Sequence, residues 1–257
     1  MALPLTFAAN LLVGACIGMT GIAGFLLPIF YVGVLGLAPV EALALSFAAF
    51  LVSGALGTPA YRATGDLPLR EAGWLSLGSL VGAVAGVLVG LVLPAGVLTT
   101  MLYLVVLCSG VSVLVRMRPA PGGGRTVPAG AASARPAGAY VALGAATAVI
   151  CAATGAGGPV LVVPILMLMG FTPRAAVGVG LLDSVAIAVP STIGYFIGGA
   201  VSPAAWALVL PAVVGHGIGV VVGSRNARRI NPDLLKAIVA AGSVGVAAFK
   251  LAGMLLG

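Results

Sequence analysis

The sequence predicts an all-α integral membrane protein built of two inverted repeats, each a broken or re-entrant hydrophobic segment followed by three transmembrane helices. Three observations carry this reading. Of the 257 residues, 61% are hydrophobic and only 7% charged, and the mean hydropathy is +1.25. A soluble domain is about 25% charged, so this surface belongs in lipid. Next, one motif occurs twice, 134 residues apart: Thr20-Gly21-Ile22-Ala23-Gly24 and Thr154-Gly155-Ala156-Gly157-Gly158. At the same offset Gly36 falls on Gly170, Pro39 on Pro173, Ala42 on Ala176, Thr58 on Thr192, Tyr61 on Tyr195 and Gly65 on Gly199. Last, the basic residues sort to one side only if the second half is inverted relative to the first.

Apolar segments run over 5–36, 39–60, 71–93 and 97–115, then 137–170, 173–198, 203–223 and 234–256. One span needs about 20 apolar residues. Six segments fit one helix each. The first of each half is too long for one span, and the Thr-Gly motif cuts it. The piece after the cut is too short to cross a hydrocarbon core of about 30 Å. Residues 118–136 are a Pro/Gly/Ala/Arg tract without periodicity, read as a linker. The expected organisation is therefore a first repeat over 1–117, a cytoplasmic linker over 118–136 and a second repeat over 137–257. The N-terminus, Met1-Ala2-Leu3-Pro4, has no basic n-region and reads as mature structure.

The twelve Lys/Arg decide the topology. With four simple spans per half they divide 7 to 5 between the two sides. If the first segment of each half returns to its own side, eleven share one side and only Lys250 is left for the other. The positive-inside rule prefers the second arrangement, with a cytoplasmic linker and both termini outside. Charge counting leaves open whether the broken segments are re-entrant or cross twice. Because the basic residues lie between apolar segments, the net charge of +7 speaks for topology beside an anionic leaflet and against nucleic acid. Cys16, Cys108 and Cys151 all lie in apolar segments and form no disulfide framework. The sequence calls for no cofactor and no metal, and contains no motif of an intramembrane enzyme.

The breaks are the first candidate site. Irregular backbone at membrane depth survives only where protein or a watery cavity satisfies it. Half-helices starting near Gly24 and Gly158 would direct free N–H groups at one anion. Candidate substrate-binding residues are Thr20, Gly21, Gly24, Thr154, Gly155, Gly157, Gly158 and Ser184. The bland alternative is close helix packing, which is the reading for the ladder Gly78, Gly82, Gly86 and Gly90. Asp183 and His216 lie inside apolar segments and are candidates for coupling or gating, through a proton or another coupling ion. Ser46, Ser53, Thr58, Ser191 and Thr192 are further cavity hydroxyls, while Tyr61 and Tyr195 read as interfacial anchors.

The duplicated Gly-rich break followed by a Pro-containing apolar run, Gly21–Pro28 and Gly155–Pro164, resembles the TauE/SafE family of sulfite exporters and organosulfur anion permeases. The turns Gly36-x-x-Pro39 and Gly170-x-x-Pro173 and the segment end Tyr61…Gly65-Asp66 add to the resemblance, which covers essentially the whole chain. The first copy departs at Ala23, where the second has Gly157. The resemblance implies transport of sulfite, a sulfonate or another sulfur oxyanion in the cell membrane, driven by an ion gradient. A passive anion channel on the same scaffold is the alternative.

Overall fold

A computed structural model of the chain describes residues 1–20, 23–117, 135–226 and 232–256. Gly21, nearly all of the linker, Arg228 and Arg229 lie outside the described residues. The described residues are helical and contain no strand: α1 (Ala2–Thr20), a 3-10 turn (Ala23–Phe25), α2 (Leu26–Gly33), α3 (Pro39–Ala63), α4 (Leu69–Val92), α5 (Ala95–Met117), α6 (Ala137–Thr154), α7 (Gly158–Leu168), α8 (Pro173–Gly198), α9 (Pro203–Asn226) and α10 (Pro232–Leu256). Among them seven helices are long and apolar enough to cross a membrane: α1, α3, α4, α5, α6, α8 and α9. Each first segment is interrupted at its Thr-Gly motif, and α2 and α7, with 8 and 11 residues, are the short pieces.

Local sequence sets these boundaries. Pro39, Pro173, Pro203 and Pro232 open their helices, where the missing N–H costs nothing. Gly36 and Gly170, in the loops before α3 and α8, have φ of 66° and 98°. The matched Gly-x-x-Pro turns are thus a left-handed glycine followed by a helix-opening proline.

The short pieces fold back beside the helices they follow. Asn10 of α1 donates its side-chain amide to the Tyr31 hydroxyl of α2 (2.7 Å). Phe171, just after α7, stacks edge-on with Tyr140 near the start of α6, at a ring separation of 6.2 Å. Each broken segment therefore brings the chain back toward the end at which it entered.

The packing pairs exchange between halves. The pair α1/α9 corresponds to α6/α4, α3/α9 to α8/α4, and α2/α3 to α7/α8, while α3/α8 and α5/α10 correspond to themselves. Gly78, Gly82 and Gly86 of α4 lie against the carbonyls of Val141, Ala145 and Val149 on α6. Gly215, Gly219 and Gly223 of α9 lie in the same way against Phe7, Leu11 and Ala15 of α1. Both pairs run parallel and leave no room for a Cβ, so each is a backbone-to-backbone contact of the small-xxx-small kind. In contrast, α3 and α8 run antiparallel: Gly54 meets Leu181 and Val185, and Gly178 meets Tyr61.

The two ends of the bundle differ in charge. Arg174 pairs with Asp66 at 3.0 Å. Arg70 and Arg135 line one small cavity with Glu71, Trp74 and Tyr140 at the same end. At the opposite end Glu41 accepts hydrogen bonds from the amides of Ala38 (3.2 Å) and Ser202 (3.0 Å). Because α1 runs parallel to α9, the N-terminus lies at this Glu41 end.

The expected role of Tyr195 is corrected. It is fully buried, donates its hydroxyl to the Ala152 carbonyl (2.8 Å) and stacks on Phe47, so it ties α8 to α6 instead of anchoring at an interface. Gly90, the last rung of the expected ladder, lies against this hydroxyl rather than against α6 backbone. Tyr61 is half-buried in the α3/α8 contact.

Candidate functional site

The second break is built from unusual backbone. Thr154 ends α6 and donates its hydroxyl to Ile150 O (2.7 Å). Gly155 follows with φ 69° and ψ 18°, the left-handed conformation that closes helices, and its N–H reaches Cys151 O (2.8 Å). Gly157 has φ 78° and ψ 145°, a region essentially reserved for glycine. There α7 begins. Pro159 has no N–H, and the Val160 N–H is spent on Gly157 O (3.3 Å). Among the described backbone bonds none uses the N–H of Ala156, Gly157 or Gly158, so these donors are free at a helix start.

The first break is different in detail. Ala23, Gly24 and Phe25 form a buried 3-10 turn leading into α2. Ala23 does not have positive φ, so this copy needs no glycine there.

The two breaks meet. One small cavity is lined by Ile17, Gly24, Phe50, Ser53, Ala156, Gly157, Pro159, Val160, Leu181 and Ser184. Residues from both broken segments and from both α3 and α8 share it. A Cβ on Gly24 would stand 3.2 Å from the Phe50 ring and 3.7 Å from Ala156 O, so the breaks are in near contact. Free space amounts to about 10 Å³, about one water, so the cavity is closed around its own side chains.

Among the described residues no Lys or Arg lines it. Its polar groups are the backbone of the break and two hydroxyls, Ser53 and Ser184. Both hydroxyls donate within their own helices, to Phe50 O (3.0 Å) and Gly180 O (3.0 Å). A hydroxyl has one proton to donate, so each would have to release its carbonyl to serve an anion.

Of the expected site residues, Gly24, Gly157 and Ser184 line the cavity, and a Cβ on Gly158 would touch Ser184 Oγ at 3.1 Å. Thr154 and Gly155 are not among its lining residues, and Gly155 packs toward Leu43 and Pro28. Thr20 ends α1, and Gly21 lies outside the described residues. Asp183 is wholly buried next to Ser184, with Ser79 of α4 as the hydroxyl beside its carboxylate. His216, also wholly buried, lies behind Phe50, with ring centroids 6.4 Å apart. Sequence reasoning did not single out Phe50, which faces both Gly24 and Gly157. A signal existed, because Phe50 and Ser184 are repeat partners at the 134-residue offset.

Compared with known families, residues 6–250 match the one described as Sulfite exporter TauE/SafE. No curated protein and no solved structure matches the chain.

Proposed function

The chain belongs to the TauE/SafE family of sulfite exporters, whose members are membrane transporters and not enzymes, and we propose that it is a secondary transporter of sulfite, a sulfonate or another small sulfur oxyanion, bound in the cavity between the two breaks. One observation carries the reading: two backbone breaks, far apart in sequence, converge on a single cavity where α3 and α8 cross. The free N–H groups at the start of α7 supply positive dipole ends without a basic side chain, as suits an anion that must also leave.

The antiparallel course of α3 and α8 and the exchanged helix pairs support two inverted repeats, 1–117 and 137–257. The arginine-rich end is then cytoplasmic, together with the linker 118–136, and both termini face outward from the cell membrane. A cavity with room for about one water supports an occluded site over an open pore, and so alternating access over a passive channel. Anion binding therefore requires the α3/α8 contact to open.

The test is flux in proteoliposomes. The proposal expects saturable uptake of sulfite or a sulfonate, with competition among small sulfur anions. It fails if no small anion shows saturable, protein-dependent flux. Flux that stays linear with concentration would mark a channel.

A further inference from the structure

Among the described residues Asp183 is the one acidic side chain that is wholly buried; it has the Ser79 hydroxyl beside it but no well-formed hydrogen bond to either carboxylate oxygen and no charged partner. A charged carboxylate without a partner in such a place costs several kcal/mol, and taking up a proton removes that cost. We propose that Asp183 is a proton-binding site linked to the anion cavity, such that its protonation and anion occupancy favour one another. This rests on the anion reading above.

The geometry gives the link its sign. Asp183 neighbours Ser184 in sequence, and Ser184 lines the cavity. An anion there and a carboxylate beside it repel one another across a medium of low dielectric, whereas an anion and a neutral carboxyl group do not. Because linkage is reciprocal, a proton on Asp183 tightens anion binding, and a bound anion tightens proton binding. The step is proton binding alone: a solvent proton joins a carboxylate oxygen and no other bond changes.

Among the described residues the helices packed around Asp183 bring no charge against it. From α4 the facing group is the neutral Ser79 hydroxyl, beside the carboxylate. From α6 it is the thiol of Cys151, which donates to Gly157 O (3.4 Å). The short helix α7 contains no ionisable residue, and α3 keeps its own, Glu41, Tyr61 and Arg62, at its ends. On α8 itself Arg174 and Tyr195 are the other titratable groups, one at the helix start and one near its end. His216 of α9 packs edge-on against Phe50, with ring centroids 6.4 Å apart.

Repeat symmetry makes the device one-sided. The glycine contacts relate α4 to α9 by 137 residues, which sets Ser79 of α4 where His216 stands in α9. On α3 the partner of Asp183 is Ala49. One acid in one half therefore gives a single proton per anion site.

The experiment measures binding of methanesulfonate and of thiosulfate to the purified full-length protein across about pH 5 to about pH 9, a range in which both probes keep their charge. Wild-type affinity should fall at least about tenfold as pH rises. Asp183→Asn should keep the tight, low-pH affinity throughout. Infrared difference spectra of wild type against Asp183→Asn should show a protonated carboxyl band that weakens at high pH and grows when the anion is added.

A shared pH profile in both proteins overturns the proposal, as does a folded Asp183→Asn protein that binds neither anion at any pH. Should the variant not fold, the wild-type carboxyl band decides, and one that does not respond to anion overturns the link. Absence of any anion binding by wild type at every pH instead strikes the anion reading on which the link rests.

Discussion

Replacing Gly157 by alanine isolates the backbone of the second break. Its φ of 78° and ψ of 145° lie where an L side chain is strained by about 1–3 kcal/mol. The new Cβ would meet only the Phe50 ring, at 3.5 Å and beyond, which is ordinary contact. The loss is therefore mainly strain, about fivefold or more in the ratio of folded to unfolded protein. Gly155→Ala should cost more, because a left-handed conformation is joined by overlap: its Cβ would stand 2.5 Å from Leu43 Cδ2 and 2.9 Å from Pro28 Cγ. Ala23→Gly, at the equivalent point of the first break, should bring no stabilisation and cost up to about 1 kcal/mol in chain entropy. Unfolding of the three purified variants in detergent, followed alongside sulfite binding, gives the order. Since Gly157 lines the cavity, its variant should also bind sulfite more weakly. A Gly157→Ala protein with wild-type stability and wild-type affinity would refute the reasoning, and so would a Gly155→Ala protein more stable than it.

Ser53→Ala and Ser184→Ala should each weaken anion affinity by about tenfold while changing stability by less than about 1 kcal/mol, since each hydroxyl bonds only its own helix in the closed state; binding titrations beside unfolding curves check this. Tyr195→Phe removes the hydroxyl's bond to Ala152 O and should cost about 1 kcal/mol in the same unfolding assay. Gly82→Val drives a side chain into the Ala145 carbonyl, so α4 and α6 must part at a cost of about 3 kcal/mol or more; a monodisperse, wild-type-stable protein in size-exclusion chromatography would contradict that contact. Finally, a Cβ on Gly178 would stand 3.1 Å from the Tyr61 Cβ, near the spacing of about 3.5–4.5 Å that a disulfide needs. In a background lacking Cys16, Cys108 and Cys151, Tyr61→Cys with Gly178→Cys should stop flux when oxidised and restore it when reduced; wild-type flux in the oxidised protein would show that α3 and α8 need not move there.

Much of this architecture could be read from residue pattern because the membrane punishes errors so heavily. Helix boundaries followed prolines and left-handed glycines, and the breaks fell at the doubled Thr-Gly motif. What escaped was register. At the ungapped offset Gly78, Gly82 and Gly86 fall on Ala212, His216 and Val220, so the first half's glycine ladder has no counterpart. In the folded chain the counterpart is Gly215, Gly219 and Gly223, displaced by three further residues, and only the contact with α1 exposes it. The site was legible in the same partial way. Glycines that need positive φ announce themselves, but Thr154 and Gly155 close the end of α6 and are not among the lining residues of the cavity. Phe50 looks like any core aromatic until the breaks are seen on either side of it. Tyr195 shows the limit of position alone, since a tyrosine near a segment end can turn inward when a carbonyl such as Ala152 O is within reach.

The packing also bears on where the proposed site would open. In α4/α6 and α1/α9, glycines lie directly on carbonyls of the partner helix, and sliding would drive backbone into backbone. Each pair joins helices of different halves, so neither half can move as a unit without carrying part of the other. The α3/α8 contact has one such rung, Gly54 on the Leu181 carbonyl, and is otherwise made through Leu181, Val185 and Tyr61 side chains, which can change rotamer. The cavity sits at that contact, so separation there uncovers the break without disturbing either glycine-packed pair. Were the halves identical, openings toward the two sides would be equal in energy. They are not identical: Gly157 faces Ala23, Ser184 faces Phe50 and Asp183 faces Ala49 across the repeat. All three differences lie in or next to the cavity, so the two openings differ in energy at the place where the anion and a proton would be bound and released.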